Sequence, residues 1–217
     1  MDISKQTTTG LDQLKDVYYQ FVSEIDSNDP TLKLALFFIM FNPTFWNIAA
    51  RLEYNTHIIT KIAGGAKRGC YLLAATIFGL GIVRDYYFHK SLETQVTSDL
   101  LDYSLVKYLG AALFGSGQVL VLTSMYQLGI TGTYLGDYFG ILMDHIVTAF
   151  PFNVCANPMY QGSTLTFLGT SLYYGKPAGV FATLVVNLMY TLALKFEEPF
   201  TAKIYAKRDE AKATKST

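Results

Sequence analysis

The stretch AGVFATLVVNLMYTLAL, residues 178–194, runs directly into KFEEPF, residues 195–200. An apolar run of this length approaches the roughly 20 residues that an α-helix needs to cross a bilayer. It delivers two adjacent carboxylates, Glu197 and Glu198, to the edge of a membrane. Pro199 disfavours helical conformation at the residue before it, so the helix is expected to bend or end there. Paired acids at such a place are poor packing residues. They suit a ligand that is cationic or rich in hydroxyls.

The surrounding sequence has the same character. Of 217 residues, 51% are hydrophobic and only 16% charged, and the mean hydropathy is +0.25. That is enough chain for one helical membrane domain. Lys and Arg total 17 against 17 Asp and Glu, so nothing in the charge balance favours nucleic acid. Two cysteines, Cys70 and Cys155, offer neither a disulfide framework nor a paired metal motif. With three histidines and no paired spacing, no metal site is expected. Residues 1–30 carry no short apolar core ahead of small residues, so no cleaved signal peptide is expected, and the first membrane segment would serve for targeting.

Three further apolar blocks precede the last one: Leu32–Ala50, interrupted by Asn42-Pro43 and readable as a span or as a segment that enters and leaves on one side; Gly69–Val83; and Val106–Ile130. The last block, Ser163–Leu194, is split by Gly175-Lys176-Pro177, a turn signal with a charge that is costly in mid-bilayer. Ser163–Tyr174 is too short to span alone, which favours a hairpin over a single final span. Tyr134–Phe152 is semi-apolar but holds Asp137, Asp144 and His145, and reads as a further span or an interfacial loop. Ahead of all this, Leu11, Leu14, Tyr18, Phe21, Val22 and Ile25 share one helical face. That predicts an amphipathic helix lying on the membrane or packed on the rest of the chain. The fold class expected is all-α: a polytopic membrane helix bundle of four to five segments. Its parts would be an interfacial segment (1–30), a membrane domain (31–198) and a basic tail (199–217).

Lys195, Lys203, Lys207, Arg208, Lys212 and Lys215 favour a cytosolic C-terminus. Arg51, Lys61, Lys67 and Arg68, between the first two blocks, compete with the segment Arg84–Lys107 for the same side.

Other motifs are weaker. Gly115-Ser116-Gly117 lies in the third block, where small residues commonly serve close helix packing. Glycine also lets a ligand approach the backbone. Asn157-Pro158-Met159-Tyr160-Gln161-Gly162 reads first as a helix-entry turn. Asp137 is either a cap for a following helix or an acid with work to do.

Several strings together resemble a known family. Phe150-Pro151-Phe152-Asn153-Val154, Asn157 to Ser163 and Glu197 to Tyr205 are similar to the C-terminal half of the small membrane-bound phospholipid N-methyltransferases. Leu128 to Leu142, Phe41 to Asn47 and Gly64 to Arg68 extend the similarity over nearly the whole chain beyond residue 30. The resemblance implies S-adenosylmethionine as methyl donor. It also implies a phospholipid acceptor within the bilayer, the mono- and dimethylated forms of phosphatidylethanolamine becoming phosphatidylcholine. It places donor-binding elements on Gly115, Ser116 and Gly117, and on Glu197 and Glu198. Asn157 to Gly162 resembles the donor element of isoprenylcysteine carboxyl methyltransferases with Asn157 in place of a histidine, which carries over Tyr160 and Gly162. An endoplasmic reticulum membrane, or a mitochondrial one, is the expected location. The acceptor amine must lose a proton before or during attack, and Asp137 is the expected catalytic base. Alternative functions are methylation of another lipid or a prenylated substrate, and non-catalytic lipid binding. Donor access implies that Gly115, Tyr160 and Glu197 are reached from one side, and the segment Arg84–Lys107 is expected there too.

Overall fold

The computed structural model describes residues 3–215. The outermost residues of the expected N-terminal segment and tail, 1–2 and 216–217, lie outside the described residues. Among the described residues, seven α-helices and one 3-10 turn form the fold: α1 (Ile3–Ser23), α2 (Pro30–Thr56), α3 (Ile58–Ala63), α4 (Ala66–Thr94), α5 (Ser104–Thr133), the 3-10 turn Gly136–Phe139, α6 (Pro158–Tyr173) and α7 (Pro177–Lys215). Among the described residues α2, α4, α5 and α7 are long and apolar enough to cross a membrane. α6 is not, and it forms the inward arm of the hairpin with α7.

Capping explains where the helices begin. Asp29 accepts hydrogen bonds from the backbone N–H of Thr31 (2.6 Å) and Leu32 (2.9 Å), and Pro30 opens α2. That is the favoured N-terminal chemistry. Pro158 and Pro177 open α6 and α7 in the same way.

Two prolines fall inside helices instead of ending them. Pro43 sits within α2, where the Asn47 side chain bonds the Pro43 carbonyl (3.1 Å) and Asn42 donates to the Leu80 carbonyl on α4 (3.0 Å). Pro199 sits within α7, which continues unbroken into the basic tail, contrary to the bend or stop expected at Glu198. The helix loses one backbone bond there. Contacts just beyond it keep it helical: Phe200 stacks on Tyr138 (5.1 Å between centroids), and Ile204 is buried beside Tyr138 and Ala50.

The helices pack in the spatial order α5–α6–α7–α2–α4. This row curls until its end helices, α4 and α5, face one another while touching little. Lipid is as apolar as the side chains, so close approach of small residues has to hold such a bundle together. Ala35, Ala178 and Ala182 are completely buried. On the α5–α6 seam Gly110 meets Gly169, and Gly117 meets Gly162. A methyl group added at any of the four would fall 2.4–2.7 Å from facing backbone atoms. Gly129 takes a positive φ of 62° and kinks α5 near its end, a conformation that favours glycine.

The two ends of the bundle differ. One gathers the start of α2, the α4–α5 connection and the α6–α7 turn: Asp26 and Gln95 exchange two bonds of 2.9 Å, and the Ser98 N–H meets the Gly175 carbonyl (2.9 Å). The other gathers α3, residues 134–157 and the second half of α7. Here Arg51 donates to the Phe196 carbonyl (2.8 Å) and Arg208 to the Met143 carbonyl (2.7 Å). Arg51, Lys61, Lys67 and Arg68 therefore share an end with the basic tail. The segment Arg84–Lys107 leads to the opposite end, not to that of Glu197 as expected. The reason is that Tyr134–Phe152 supplies no further span. It forms the 3-10 turn and a loop that folds back over the bundle to the start of α6. Among the described residues no element covers the apolar face of α1, where Leu11, Leu14 and Tyr18 are exposed.

Candidate functional site

A cavity of about 750 Å³ lies inside the curl. Its deep wall is apolar and aromatic, with Phe114, Val121 and Leu122 from α5, Phe78 and Ile82 from α4, and Phe167 from α6. Phe78, Ile82 and Leu122 line the cavity and are exposed, and α4 and α5 touch little, so the cavity is open along the apolar gap between these two helices. Its polar end is built by Asp137, Asn157, Tyr160, Glu197, Thr201 and Tyr205.

Glu197 is the best-held polar group. One carboxylate oxygen accepts from Trp46 Nε1 (2.6 Å) and Asn47 Nδ2 (2.8 Å), and the other from Tyr160 Oη (2.5 Å). All three donors are neutral, so the carboxylate is oriented without being paired to a cation, and its charge remains available to a ligand. α2 supplies Trp46 and Asn47, the first turn of α6 supplies Tyr160, and Tyr190 of α7 completes an aromatic group. The ring centroids lie 4.9 Å apart for Tyr160–Tyr190 and 6.4 Å for Trp46 with each tyrosine. Electron-rich rings beside a carboxylate favour a cation.

Asp137 is placed in the cavity wall by the 3-10 turn and accepts from the Thr201 hydroxyl (3.1 Å). It caps no helix, since the chain beyond Gly140 is a loop. Glu198 is exposed and points to the rim, where Asn157 donates to it (2.9 Å).

Asp137, Tyr160 and Glu197 thus come together around one space, with Glu198 at its edge. The glycines sit differently. Gly117 and Gly162 are buried against each other in the α5–α6 seam. Gly115 is open, with no atom within 4 Å of an added methyl. Helical spacing sets it beside Gln118 and Leu122, which line the cavity, whereas Ser116 falls on the far side of α5.

No local sequence pattern marks Trp46, Asn47 or Tyr190 as site residues. Trp46 and Asn47 belong to a string that carries the family resemblance, but no spacing links them to a residue 150 positions later. Arg84 at the end of an apolar block was a visible signal.

A helical membrane bundle with a side-opening cavity and a polar end holding oriented carboxylates is the architecture of an enzyme that treats lipid-borne groups in place. Residues 105–208 match the family model described as phospholipid methyltransferase. Over 201 residues the chain is 59% identical to phosphatidyl-N-methylethanolamine N-methyltransferase of Saccharomyces cerevisiae, covering 93% of this chain and 98% of that protein. It is 55% identical over 190 residues to the protein of the same name from Neurospora crassa (87% and 89% covered). It is 45% identical over 184 residues to phosphatidylethanolamine N-methyltransferase of Rattus norvegicus (85% and 92% covered). The chain belongs to the phospholipid methyltransferase family. No solved structure matches it.

Proposed function

We propose that this protein transfers methyl groups from S-adenosylmethionine to phosphatidyl-N-methylethanolamine and then to the dimethyl lipid, giving phosphatidylcholine. The observation that carries this is Glu197, fixed by Trp46, Asn47 and Tyr160 at the polar end of a cavity that opens toward lipid. Family membership supports the reaction class.

The donor supplies an electrophilic methyl group on a sulfonium. Its positive charges and hydroxyls suit the residues present: Glu197 and the Trp46, Tyr160 and Tyr190 rings inside, Glu198 at the rim. Gly115, on the flank of the cavity face of α5, leaves space for close approach. Gly117 and Gly162 serve the same site by seating α6 against α5, which aims Tyr160 at Glu197.

The protein's main task is alignment, because in-line displacement needs proximity more than covalent help. The lipid amine is mostly protonated at neutral pH. Asp137, with one hydroxyl donor and a place in the cavity wall, accepts that proton. The aromatic lining keeps water from competing.

Orientation follows from the basic end. Arg51, Lys61, Lys67, Arg68 and the tail converge on it, which supports a cytosolic position facing the soluble donor. An endoplasmic reticulum membrane fits that arrangement. Purified full-length protein in mixed micelles, given labelled S-adenosylmethionine, is expected to label both lipids in sequence. No transfer to either would overturn the function. Membrane-impermeant labelling of a Gln161→Cys variant lacking Cys70 and Cys155 is expected from the cytosolic side only. Labelling from the lumenal side would reverse the orientation.

A further inference from the structure

The deep half of the cavity contains a cation that the reaction as described does not use. Arg84 lies within α4, at the end of its apolar stretch, with its side chain only 14% exposed. A buried guanidinium within a membrane helix is costly and calls for a counter-charge or a ligand. Its Nε bonds Asp85 (2.9 Å), a carboxylate that is itself half exposed. Its Nη1 donates to the Tyr190 hydroxyl (2.8 Å), and its plane lies over the Phe167 ring at 5.0 Å. Nη2 has no acceptor among the described residues, and the side chain lines the cavity.

Arg84 is linked to the polar end through rings that meet edge to face. Tyr190 packs on Tyr160 at 4.9 Å, and the Tyr160 hydroxyl holds Glu197. Along α7, Tyr190 and Glu197 are two turns apart, about 10 Å. The cavity therefore presents a cation at one point and an oriented carboxylate with aromatic rings a short distance away. That polarity is complementary to a zwitterion. Around Arg84 the cavity opens between α4 and α5 past Phe78, Ile82 and Leu122, surfaces that suit acyl chains.

We propose that Arg84, aimed by the Tyr190 hydroxyl, binds the phosphodiester of the lipid acceptor and so sets its amine against Glu197, Tyr160 and Trp46. The assignment rests on the function proposed above and deepens it. It makes Arg84 a lipid-binding residue and Tyr190 its positioning residue. Recognition would then depend on an anionic linkage next to the amine. The planar guanidinium suits two phosphate oxygens at once, which lysine does not reproduce. The donor's carboxylate is the competing anion, and it predicts a different kinetic signature.

The test uses purified full-length protein in mixed micelles with two acceptors of identical acyl chains. One is phosphatidyl-N-methylethanolamine; the other carries the same methylaminoethyl group on an uncharged carbonate linkage. Wild type is expected to prefer the phospholipid by about tenfold or more in kcat/KM. Arg84→Gln is expected to erase that preference, raising the KM for the phospholipid about tenfold or more while the KM for the donor holds. Arg84→Lys should recover part of it. Tyr190→Phe, which keeps the ring and loses only the hydroxyl, should weaken the preference in the same direction by a smaller factor. This second variant keeps the claim exposed if Arg84→Gln does not fold. Equal losses on both acceptors would make the role structural and overturn the proposal. So would a rise in donor KM with lipid KM unchanged, or a wild type indifferent to the linkage. Wild-type failure to methylate the phospholipid at all would instead strike the underlying function.

Discussion

At the end where α2 begins, polar groups are spent on one another. Gln95 exchanges bonds with Asp26, Lys176 donates to the Gln95 carbonyl (2.7 Å), and Ser98 meets Gly175. At the basic end, polar groups are held in place but left facing a space. Glu197 receives three neutral donors and no cation; Asp137 receives a single hydroxyl from a side chain. The first end closes α2, α4, α5, α6 and α7 into register. The second leaves charge facing the cavity, where the proposed function places its ligands. A bundle of mostly apolar helices can do both because the tight α5–α6 glycine seam lies between them and fixes the geometry of each. Substitutions at the basic end should therefore change turnover with little change in stability, and substitutions at the other end should do the reverse.

The largest effect is expected at Asp137. Asp137→Asn keeps the shape and can still accept from Thr201, but it cannot take a proton from the lipid ammonium. Turnover should fall about 10²- to 10⁴-fold, the usual range for a lost general base. Thermal stability should move little. Raising the pH should recover part of the rate, since more acceptor amine is then neutral. A mutant of normal turnover would remove Asp137 from the chemistry.

Glu197→Gln comes next. The side chain keeps its size, but one oxygen that accepts becomes an amide that donates. Loss of a charged hydrogen bond costs about 1.5–3 kcal/mol, or roughly 10- to 150-fold in donor affinity or turnover. Glu198→Gln, at the exposed rim, should cost less. Equal effects at the two positions would contradict the difference in their surroundings.

The glycines separate packing from binding. Gly117→Ala pushes a methyl to 2.4 Å from the Gly162 carbonyl oxygen, and overpacking of this kind typically costs 1–3 kcal/mol. Stability and activity should fall together, because the same seam aims Tyr160. Gly115→Ala meets nothing within 4 Å and should leave thermal stability unchanged, so any lost activity would report ligand approach. Unfolding curves beside donor KM values for both mutants would decide. A stable, inactive Gly117→Ala would instead argue for direct ligand contact there.

Much of this was legible in the sequence, for physical reasons. Apolar length announced the spans, and Gly175-Lys176-Pro177 announced the hairpin turn. Asp137 and Glu197 are conspicuous as acids in or beside apolar sequence, whereas Tyr160 comes only from the family resemblance, its local sequence reading first as a helix-entry turn. Other features depended on long-range placement that no local pattern encodes. Pro199 is a breaker by propensity, yet tertiary contacts through Phe200 and Ile204 override it. The residue pairs Trp46–Glu197 and Arg84–Tyr190 join helices more than 100 positions apart. The basic segments do not compete, because α3 and the tail share one end of the bundle.

The smallest effect is expected at the closed end, from Asp29. Desolvation would raise its carboxyl, but hydrogen bonds from Thr31, Thr94 and the Leu32 and Thr31 backbone outweigh that and hold it at about 2, against an ordinary 3.8. A carboxyl with a lowered folded pKa adds stability that is fully present above its unfolded value. That stability is lost as pH falls through the window from about 4 to about 2. The group is partly solvated, so the full shift should not be converted to free energy. An N-cap contribution of about 1 kcal/mol is the appropriate scale. Asp29→Asn keeps a good cap and removes the titration. Asp29→Ala removes both and should cost about 0.5–2 kcal/mol at any pH above that window. Thermal unfolding in detergent between pH 3 and pH 7 should show the wild type losing stability toward acid by more than Asp29→Asn does. Methyl transfer at neutral pH by either folded variant should match wild type, because this end of the bundle does not touch the cavity. Loss of turnover in a stably folded Asp29→Asn would mean that the two ends are coupled, and the division of labour between them would have to be abandoned.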